Sequence, residues 1–417
     1  MNQIYVDRRK KVMDCLGDGE MLVLYSGMPV PMSMDECYPF EADRHFYYLT
    51  GLRRENMALL LSKTGDEPRE ILYIEPAIPK MERWTGKRVT REEAIRISGM
   101  SSVQFIGTLE DMISRICARE FPKAVWMDTH VEDGKALPMY NVVKAKEFLD
   151  KYPGVQVRDL HPVVSRIRMI KDAEEIACFR EAIRMTNKGL ERVMDRLHPG
   201  MMEYQVQADF EYEIRNQGSE HTSFPTIVGS GKNGCSLHYE SNDAEIGDGN
   251  LVLLDLGARY KGYCADISRT YPANGTYTEA QRAYYEIVLE ANRAVEAGAK
   301  PGMTIKQLTE LCKEVLAEGL IRLGKIKGKE EIGNYFMHGV SHFIGLDTHD
   351  VYDALNCPLE PGMIISNEPG LYIDDEAIGI RIEDDLLITE NGCENLSRAI
   401  EKDPDHIERI MAGRKRA

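Results

Sequence analysis

The sequence predicts an α+β protein of two domains, and three observations carry that prediction. Short apolar runs alternate with helix-spaced segments over the first 160 residues. A long amphipathic helix then opens a second part at about residue 173. Finally, the stretch Pro199 to Val206, PGMMEYQV, is echoed by Pro301 to Leu308, PGMTIKQL. A chain of 417 residues is also long enough for two domains with ample core in each.

In the first part EMLVLYSG, MALLLS, REILYIE and KAVWMD read as strands, and segments near 91 to 98, 108 to 119 and 142 to 152 carry helical spacing. This alternation predicts an α/β domain around a mixed sheet over residues 1–160. Between Val157 and Lys171 the sequence VRDLHPVVSRIRMIK contains Pro162 and clustered basic residues, so a boundary is placed there and the second domain is 161–417. That domain opens with helices over about 173 to 197 and 202 to 217. Each PGM copy follows a long helix, starts another, and precedes strands with candidate site residues. The repeat predicts two α+β halves around a shared cleft, with a period of about 100 residues, too long for a solenoid. Thr278 with Gln281, and Thr304 with Gln307, are spaced as capping boxes for the later helices.

A formal charge of −16 excludes a nucleic-acid surface or an anionic membrane as partner, since both require a basic face. The short basic end, Arg414, Lys415 and Arg416, does not reverse this and reads as a frayed tail. MNQIYVDRRKKVMDCLG lacks the apolar core of a signal peptide, and no stretch reaches the length of a membrane span. Nine cysteines without CxxC pairs fit free thiols in a reducing compartment. A cytoplasmic protein is therefore expected. Cys264 shares a strand face with Asp266 and reads as a small packed hydrophobe.

The most informative stretch is NLVLLDLGARYKGYCADISRT, residues 250 to 270. An apolar strand runs into Asp255, a turn follows, and a second strand carries Asp266 back beside the first. Burying such acids is costly unless a cation or donor offsets their charge. A surface hairpin with two solvated acids is the alternative. Downstream, His342 lies in MHGVSHFIGLDTHD, Glu368 in SNEPGLYI and Glu383 in GIRIEDDLLI. Two Asp, one His and two Glu suit a pair of hard or borderline divalent ions, Mn²⁺ first, with Co²⁺, Zn²⁺ or Fe²⁺ as alternatives by ligand type. Five ligands exceed one tetrahedral zinc, but bridging carboxylates let them hold two ions.

Other motifs divide between chemistry and packing. GSGKNG, Gly229 to Gly234, matches GxGxxG, but CSLHYESNDAEIGDGN follows instead of a helix, so a tight turn delivering His238 is the better account than nucleotide binding. His338 and His342 have i, i+4 spacing, yet Gly339, Val340, Phe343, Ile344 and Gly345 make a helix improbable there. With His349, three histidines fall within twelve residues beside the acids. Arg381 and Glu383 stand two apart in an alternating strand and face the same way, so the guanidinium can hold the carboxylate ionised and oriented. A surface ion pair is the alternative. Tyr372 either supplies a phenol donor or packs.

Together these residues resemble the aminopeptidase P and prolidase branch of the creatinase/methionine aminopeptidase family, peptidase family M24. The resemblance covers most of the chain and is strongest over 220 to 390, where Asp255, Asp266, His342, Glu368 and Glu383 fall on the five metal-ligand positions in order and spacing. MHGVSHFIGLDTHD resembles the aminopeptidase P form of the histidine motif, and YPFEADRHFYYLTGL and ERWTGKR resemble the creatinase-type N-terminal domain. The resemblance implies a C-terminal pita-bread catalytic domain and an N-terminal domain serving oligomerisation and substrate access. It also implies that His238, His338 and His349 are substrate and transition-state histidines, with Arg381 beside the metal ligands. Trp84 resembles a tryptophan that neighbouring subunits contribute to one another's sites, in a homodimer or homotetramer. One position departs: many aminopeptidases P carry Asp in an SDF-like triplet where this chain has His45 in RHF. Any reading of a substrate's free amine from a neighbouring subunit must therefore differ here.

The implied activity is a metal-dependent Xaa-Pro aminopeptidase, acting on peptides with proline second by attack of a hydroxide bridging two divalent ions. Asp266 and Glu383 would bridge, Asp255 would bind one ion, and His342 and Glu368 the other. Glu368 would also shuttle the proton, His338 donate to the oxyanion, His349 place the proline-side carbonyl, and His238, Tyr372 and Trp84 line the substrate site. A prolidase cutting Xaa-Pro dipeptides is the alternative, and it would need a further Arg or His for the free carboxylate. From another class, a peptide-binding pseudoenzyme would lack ligand residues, yet all five are present.

Overall fold

The computed structural model describes residues 2–131, 139–351 and 356–413, so the basic end at 414 to 416 lies outside the described residues. The chain divides into two compact units, Met1–Arg168 and Met169–Ala417. The division falls after residue 168 because α7 (His161–Met169), which a boundary at 160 would give to the second domain, lies almost wholly in the first unit.

Among the described residues the first unit holds six strands, β1 (Glu20–Tyr25), β2 (Ala58–Ser62), β3 (Arg69–Ile74), β4 (Val103–Phe105), β5 (Ala124–Met127) and β6 (Gln156–Asp159), in the order β4-β3-β2-β1-β5-β6. β1, β2 and β3 pair antiparallel, whereas β3 with β4, β1 with β5 and β5 with β6 run parallel. The sheet is mixed, as the alternation predicts. Every residue of β1 is buried, which explains why EMLVLY reads as one apolar run: strands covered on both faces lose the alternation of half-buried ones. Before and around the sheet come α1 (Asn2–Cys15), α2 (Arg44–Thr50), α3 (Pro79–Thr85), α4 (Arg91–Ser98), α5 (Leu109–Arg119) and α6 (Tyr140–Lys151). Leu109, Ile113 and Ile116 form a helical stripe on α5 and pack with Val23, Leu60, Tyr73, Val125 and Phe148.

The second unit opens with α8 (Ala173–Arg196) and α9 (Glu203–Asn216), followed by β7 (Ile227–Ser230), β8 (Leu251–Leu256), β9 (Arg259–Tyr260), β10 (Tyr263–Cys264) and β11 (Ile267–Pro272). Then come α10 (Glu279–Gly298), α11 (Ile305–Arg322), β12 (Ile364–Asn367), β13 (Gly370–Ile373), β14 (Ile378–Arg381), β15 (Asp384–Ile388), β16 (Cys393–Asn395) and α12 (Pro404–Ala412). Two three-stranded antiparallel sheets result, β11-β8-β7 and β12-β15-β16, beside the hairpins β9/β10 and β13/β14.

The sequence echo is a structural repeat. Gly200 N–H bonds Ile246 O at 2.8 Å and Ile246 N–H bonds Met201 O at 2.8 Å, while Gly302 N–H bonds Leu359 O at 2.9 Å and Leu359 N–H bonds Met303 O at 2.7 Å. Gly200 and Gly302 adopt φ of +87° and +86°, the left-handed region that glycine enters without a Cβ clash. Both predicted capping boxes form, Thr278–Gln281 on α10 and Thr304–Gln307 on α11. No helix among the described residues is long and apolar enough to cross a membrane.

Candidate metal centre

Asp255 is the penultimate residue of β8, following the buried run Leu251–Leu254. β11 returns antiparallel with Ser268 directly opposite Asp255, and Asp266, two residues before Ser268, shares that face. The turn between the strands is longer than a simple hairpin. It contains the two-residue strands β9 and β10, reversed at Lys261 and Gly262 with φ of 49° and 86°. Cys264 is buried there, its Sγ 3.8 Å from Leu346 O, in keeping with a packed hydrophobe.

In the second sheet β12 pairs with β15 so that Asn367 faces Asp384; continuing that register sets Glu368 opposite Glu383. The segment around His342 adds to the other edge of β12: His342 N–H bonds Ser366 Oγ at 2.9 Å, Ser366 N–H bonds His342 O at 2.9 Å, and Phe343 bridges Ile365. The segment is extended rather than helical, as its glycines and β-branched residues predict. Glu383 N–H bonds Ser268 O at 3.0 Å and so joins the two sheets. Arg269, fully buried, braces the same point with bonds to the carbonyls of Ser268, Glu383, Ile400 and Glu401 and to Asp384 Oδ1.

Donor atoms of Asp266, His342 and Glu383 lie within 4.8 Å of one another. His342 Nε2 is 3.3 Å from Asp266 Oδ2 and 3.5 Å from Glu368 Oε1. Its Nδ1 faces the carbonyl of Phe343 at 3.1 Å, an acceptor only, so Nδ1 carries a proton and Nε2 is turned toward the carboxylates, donating to Asp266 while protonated and free to ligate once a cation takes that proton's place. Asp255 joins the group through Arg381, whose Nη2 donates to Asp255 Oδ2 at 2.6 Å and whose Nε donates to Ser268 Oγ at 2.7 Å. Ser268 passes its own proton to Glu383 Oε2 at 2.7 Å. The guanidinium thus touches Asp255 directly and Glu383 by way of Ser268.

Electrostatics show what this arrangement is built for. Burial, then the charges of Asp266, Glu368 and Asp255, push Glu383 well above the usual carboxylate range. Burial raises Asp255, and Glu368 is pushed up to about 7, again by burial first. Against its own burial, the Asp266 hydrogen bond and the Glu368 charge lift His342 to about 9. Acids crowded at such cost are those a divalent cation would relieve. Asp255 Oδ1 is buried without a hydrogen-bond partner among the described residues, and such an acceptor suits a cation. The residues fit a divalent metal on geometry, donor chemistry and charge.

Around the acids, Arg381 Nη1 donates to Tyr372 Oη at 3.0 Å, and Tyr372 Oη lies 2.8 Å from His338 Nε2. His338 Nδ1 faces Gly339 O at 2.7 Å, so Nδ1 holds the ring proton and Nε2 accepts from the phenol. Burial, then the Arg381 charge, lowers His338 to about 4 and keeps it neutral. Tyr372 Oη thus donates to His338 and accepts from Arg381. His349 is exposed, met edge-on by the His342 ring at 4.4 Å, and lowered to about 4 by burial and then the His342 charge. His238 is exposed on the loop after the turn at 231–235, and its charge is felt at both His338 and His349. Trp84 is 84% exposed on α3 of the first unit.

Two residues escaped the sequence reading. Ser268 was visible only as a serine two after Asp266. Asp385, fully buried, accepts from Asp266 N–H at 3.3 Å; in RIEDDLLI it looked like any acid in a charged pair. A second group, His45, Asp128 and His161, brings three potential ligands together in the first unit. Arg168 Nη1 faces His45 Nδ1 at 3.1 Å and can only donate, so His45 Nε2 holds the ring proton and gives it to His161 Nδ1 at 3.1 Å. His45 Nε2 and His161 Nδ1, each 3.9 Å from an Asp128 carboxylate oxygen, are thus bonded to each other.

Fold and donor set define the class: a metal-dependent hydrolase built on a duplicated α+β unit. Residues 177–390 match metallopeptidase family M24, and residues 5–126 match the aminopeptidase P N-terminal domain. The chain is 35% identical to the Xaa-Pro aminopeptidase of Escherichia coli, over 98% of this chain and 97% of the relative, and 30% identical to human Xaa-Pro aminopeptidase 3, over 98% and 85%. Among solved structures, a putative aminopeptidase P from Bacillus anthracis superposes with a TM-score of 0.97 at 41% identity, covering 100% and 99% of the two chains. Zn-substituted E. coli aminopeptidase P in complex with product gives 0.92 at 33%, covering 100% and 99%. This chain belongs to metallopeptidase family M24, in its aminopeptidase P branch, with the pita-bread catalytic fold, and is a divalent-metal aminopeptidase.

Proposed function

We propose that the chain removes the N-terminal residue from peptides with proline second, and that Asp255, Asp266, His342, Glu368 and Glu383 hold two divalent ions for this purpose. The carrying observation is the convergence of Asp266, His342 and Glu383 within 4.8 Å, with Glu368 3.5 Å from His342. Relatives named Xaa-Pro aminopeptidase support the substrate class. An oxygen-rich set with one imidazole favours Mn²⁺. When bound, the ions supply a nucleophilic water at neutral pH and take up charge from the attacked carbonyl oxygen.

The chain's own residues do the rest. Asp266 and Glu383 would hold both ions in common, with Ser268 and Arg381 orienting the Glu383 and Asp255 carboxylates. Glu368, already raised by burial, accepts the proton of the attacking water and passes it to the leaving nitrogen. His338 has both nitrogens engaged, so it serves the oxyanion by releasing its Nδ1 proton from Gly339 O when substrate enters. His349 and His238, exposed beside the cluster, receive the peptide. Trp84, exposed on α3, suits a contribution to a neighbouring subunit's substrate site in a homodimer or homotetramer. All nine cysteines are free, which supports a reducing compartment, the cytoplasm.

Asp266→Asn and Glu383→Gln test the assignment: each should lose metal and activity together. Full metal occupancy in both variants would remove their bridging role.

A further inference from the structure

Lys171 and Asp350 form an ion pair at 3.3 Å with 1% of either side chain exposed. Neither belongs to the donor set, yet Asp350 follows His349 directly. Asp350 N–H bonds Phe343 O at 2.9 Å, closing the segment that begins at His342 into a loop. Gly345 N–H bonds Asp347 O at 2.9 Å within it, and Gly345 O accepts from Cys264 N–H at 3.0 Å. The Asp350 carboxylate tucks beneath this loop: a Cβ on Gly345 would lie 2.1 Å from its Oδ2, so only glycine leaves the space. Lys171 reaches the carboxylate from a fixed base. Its N–H bonds Gly362 O at 2.8 Å, at a turn where Gly362 has φ +90° and donates to Ile388 O, just ahead of β12, whose last residue Asn367 precedes Glu368. One lysine therefore ties the loop carrying His342 and His349 to the strand pair carrying Glu368 and Glu383.

We infer that Lys171 is a positioning residue: through Asp350 it fixes the loop that presents His349 to the peptide. The His349 ring touches the His342 ring edge-on, and both residues flank the loop whose ends the Asp350 N–H to Phe343 O bond joins, so a shift of that loop carries the His349 ring with it. The inference rests on the proposed substrate role of His349. A lysine suits the task because a buried carboxylate must keep a cation partner, so the loop cannot drift from the base without exposing an unpaired charge.

The test uses the metal-loaded full chain, with kcat and KM measured on an Xaa-Pro-Yaa tripeptide and metal content measured separately. Lys171→Met combined with Asp350→Asn removes both charges of the pair together and keeps the experiment interpretable if the single variants fold poorly. The double variant should raise KM about tenfold, the scale on which partners of site residues act, with kcat within about twofold and metal content unchanged. Added to His349→Ala, the same pair should raise KM no further, because coupled residues are not additive. A folded double variant with wild-type KM, or one whose effect adds fully to His349→Ala, would overturn the inference. If His349→Ala alone leaves KM unchanged, the substrate role of His349 fails instead, which separates the two outcomes.

Discussion

Arg381 Nη2 lies 2.6 Å from Asp255 Oδ2. The same guanidinium also serves Ser268 and Tyr372, so three acceptors at fixed angles meet one planar donor. A lysine ammonium is a point charge that cannot span them. Arg381→Lys should thus lose activity nearly as far as Arg381→Ala, roughly 10- to 100-fold in kcat, the range seen when partners of metal ligands are removed. Steady-state kinetics on both variants decide this, and recovery of wild-type kcat by lysine would contradict it.

Ser268 is the only link through which Arg381 reaches Glu383 by hydrogen bonds among the described residues. Ser268→Ala leaves the Glu383 carboxylate without that donor, and metal affinity should fall at least about tenfold. Titration of the chelated variant with Mn²⁺ measures it; unchanged affinity would show that the serine merely packs.

Tyr372 gives its proton to His338 and accepts from Arg381. In Tyr372→Phe the His338 Nε2 loses its donor, and the ring loses its orientation. A fall in kcat of about tenfold, the lower end for general acid–base or positioning groups, is expected with metal content preserved. Equal kcat for the phenylalanine variant would return Tyr372 to the packing role.

Asp128 offers a stability test within the first unit. Burial first, then the Asp43 charge, raises its carboxyl from 3.8 to about 7. Because the folded value exceeds the unfolded one, the folded state binds the extra proton between them. Its stabilising contribution is full below about 4, is lost as pH rises, and is gone above about 7. Asp128→Asn keeps an acceptor for His130 N–H without a charge, so its Tm relative to the wild type should improve between pH 5 and pH 8. A pH-independent difference in Tm would contradict this.

The sequence carried the elements whose patterns are local. Strands of the first unit, the capping boxes on α10 and α11, the repeat marked by Gly200 and Gly302, and the five candidate ligands could all be read from residue type and spacing. What escaped was set by distant pairing. β9 and β10 are too short to show alternation, so the turn between Asp255 and Asp266 looked simpler than it is. Ser268 gains its meaning only when Glu383, 115 residues away, folds against it. The chain Arg168–His45–His161 joins residues up to 123 positions apart, and no local pattern announces such a contact. The tautomer of His338 depends on Gly339 and Tyr372 and needed coordinates.

The most direct measurement is release of the N-terminal residue from Xaa-Pro-Yaa tripeptides, with Xaa-Pro dipeptides and proline-free peptides as controls, after chelation and again after adding Mn²⁺. The account predicts silence after chelation and restored cleavage of tripeptides alone. Undiminished cleavage by fully chelated protein, or restored activity confined to dipeptides, would contradict it.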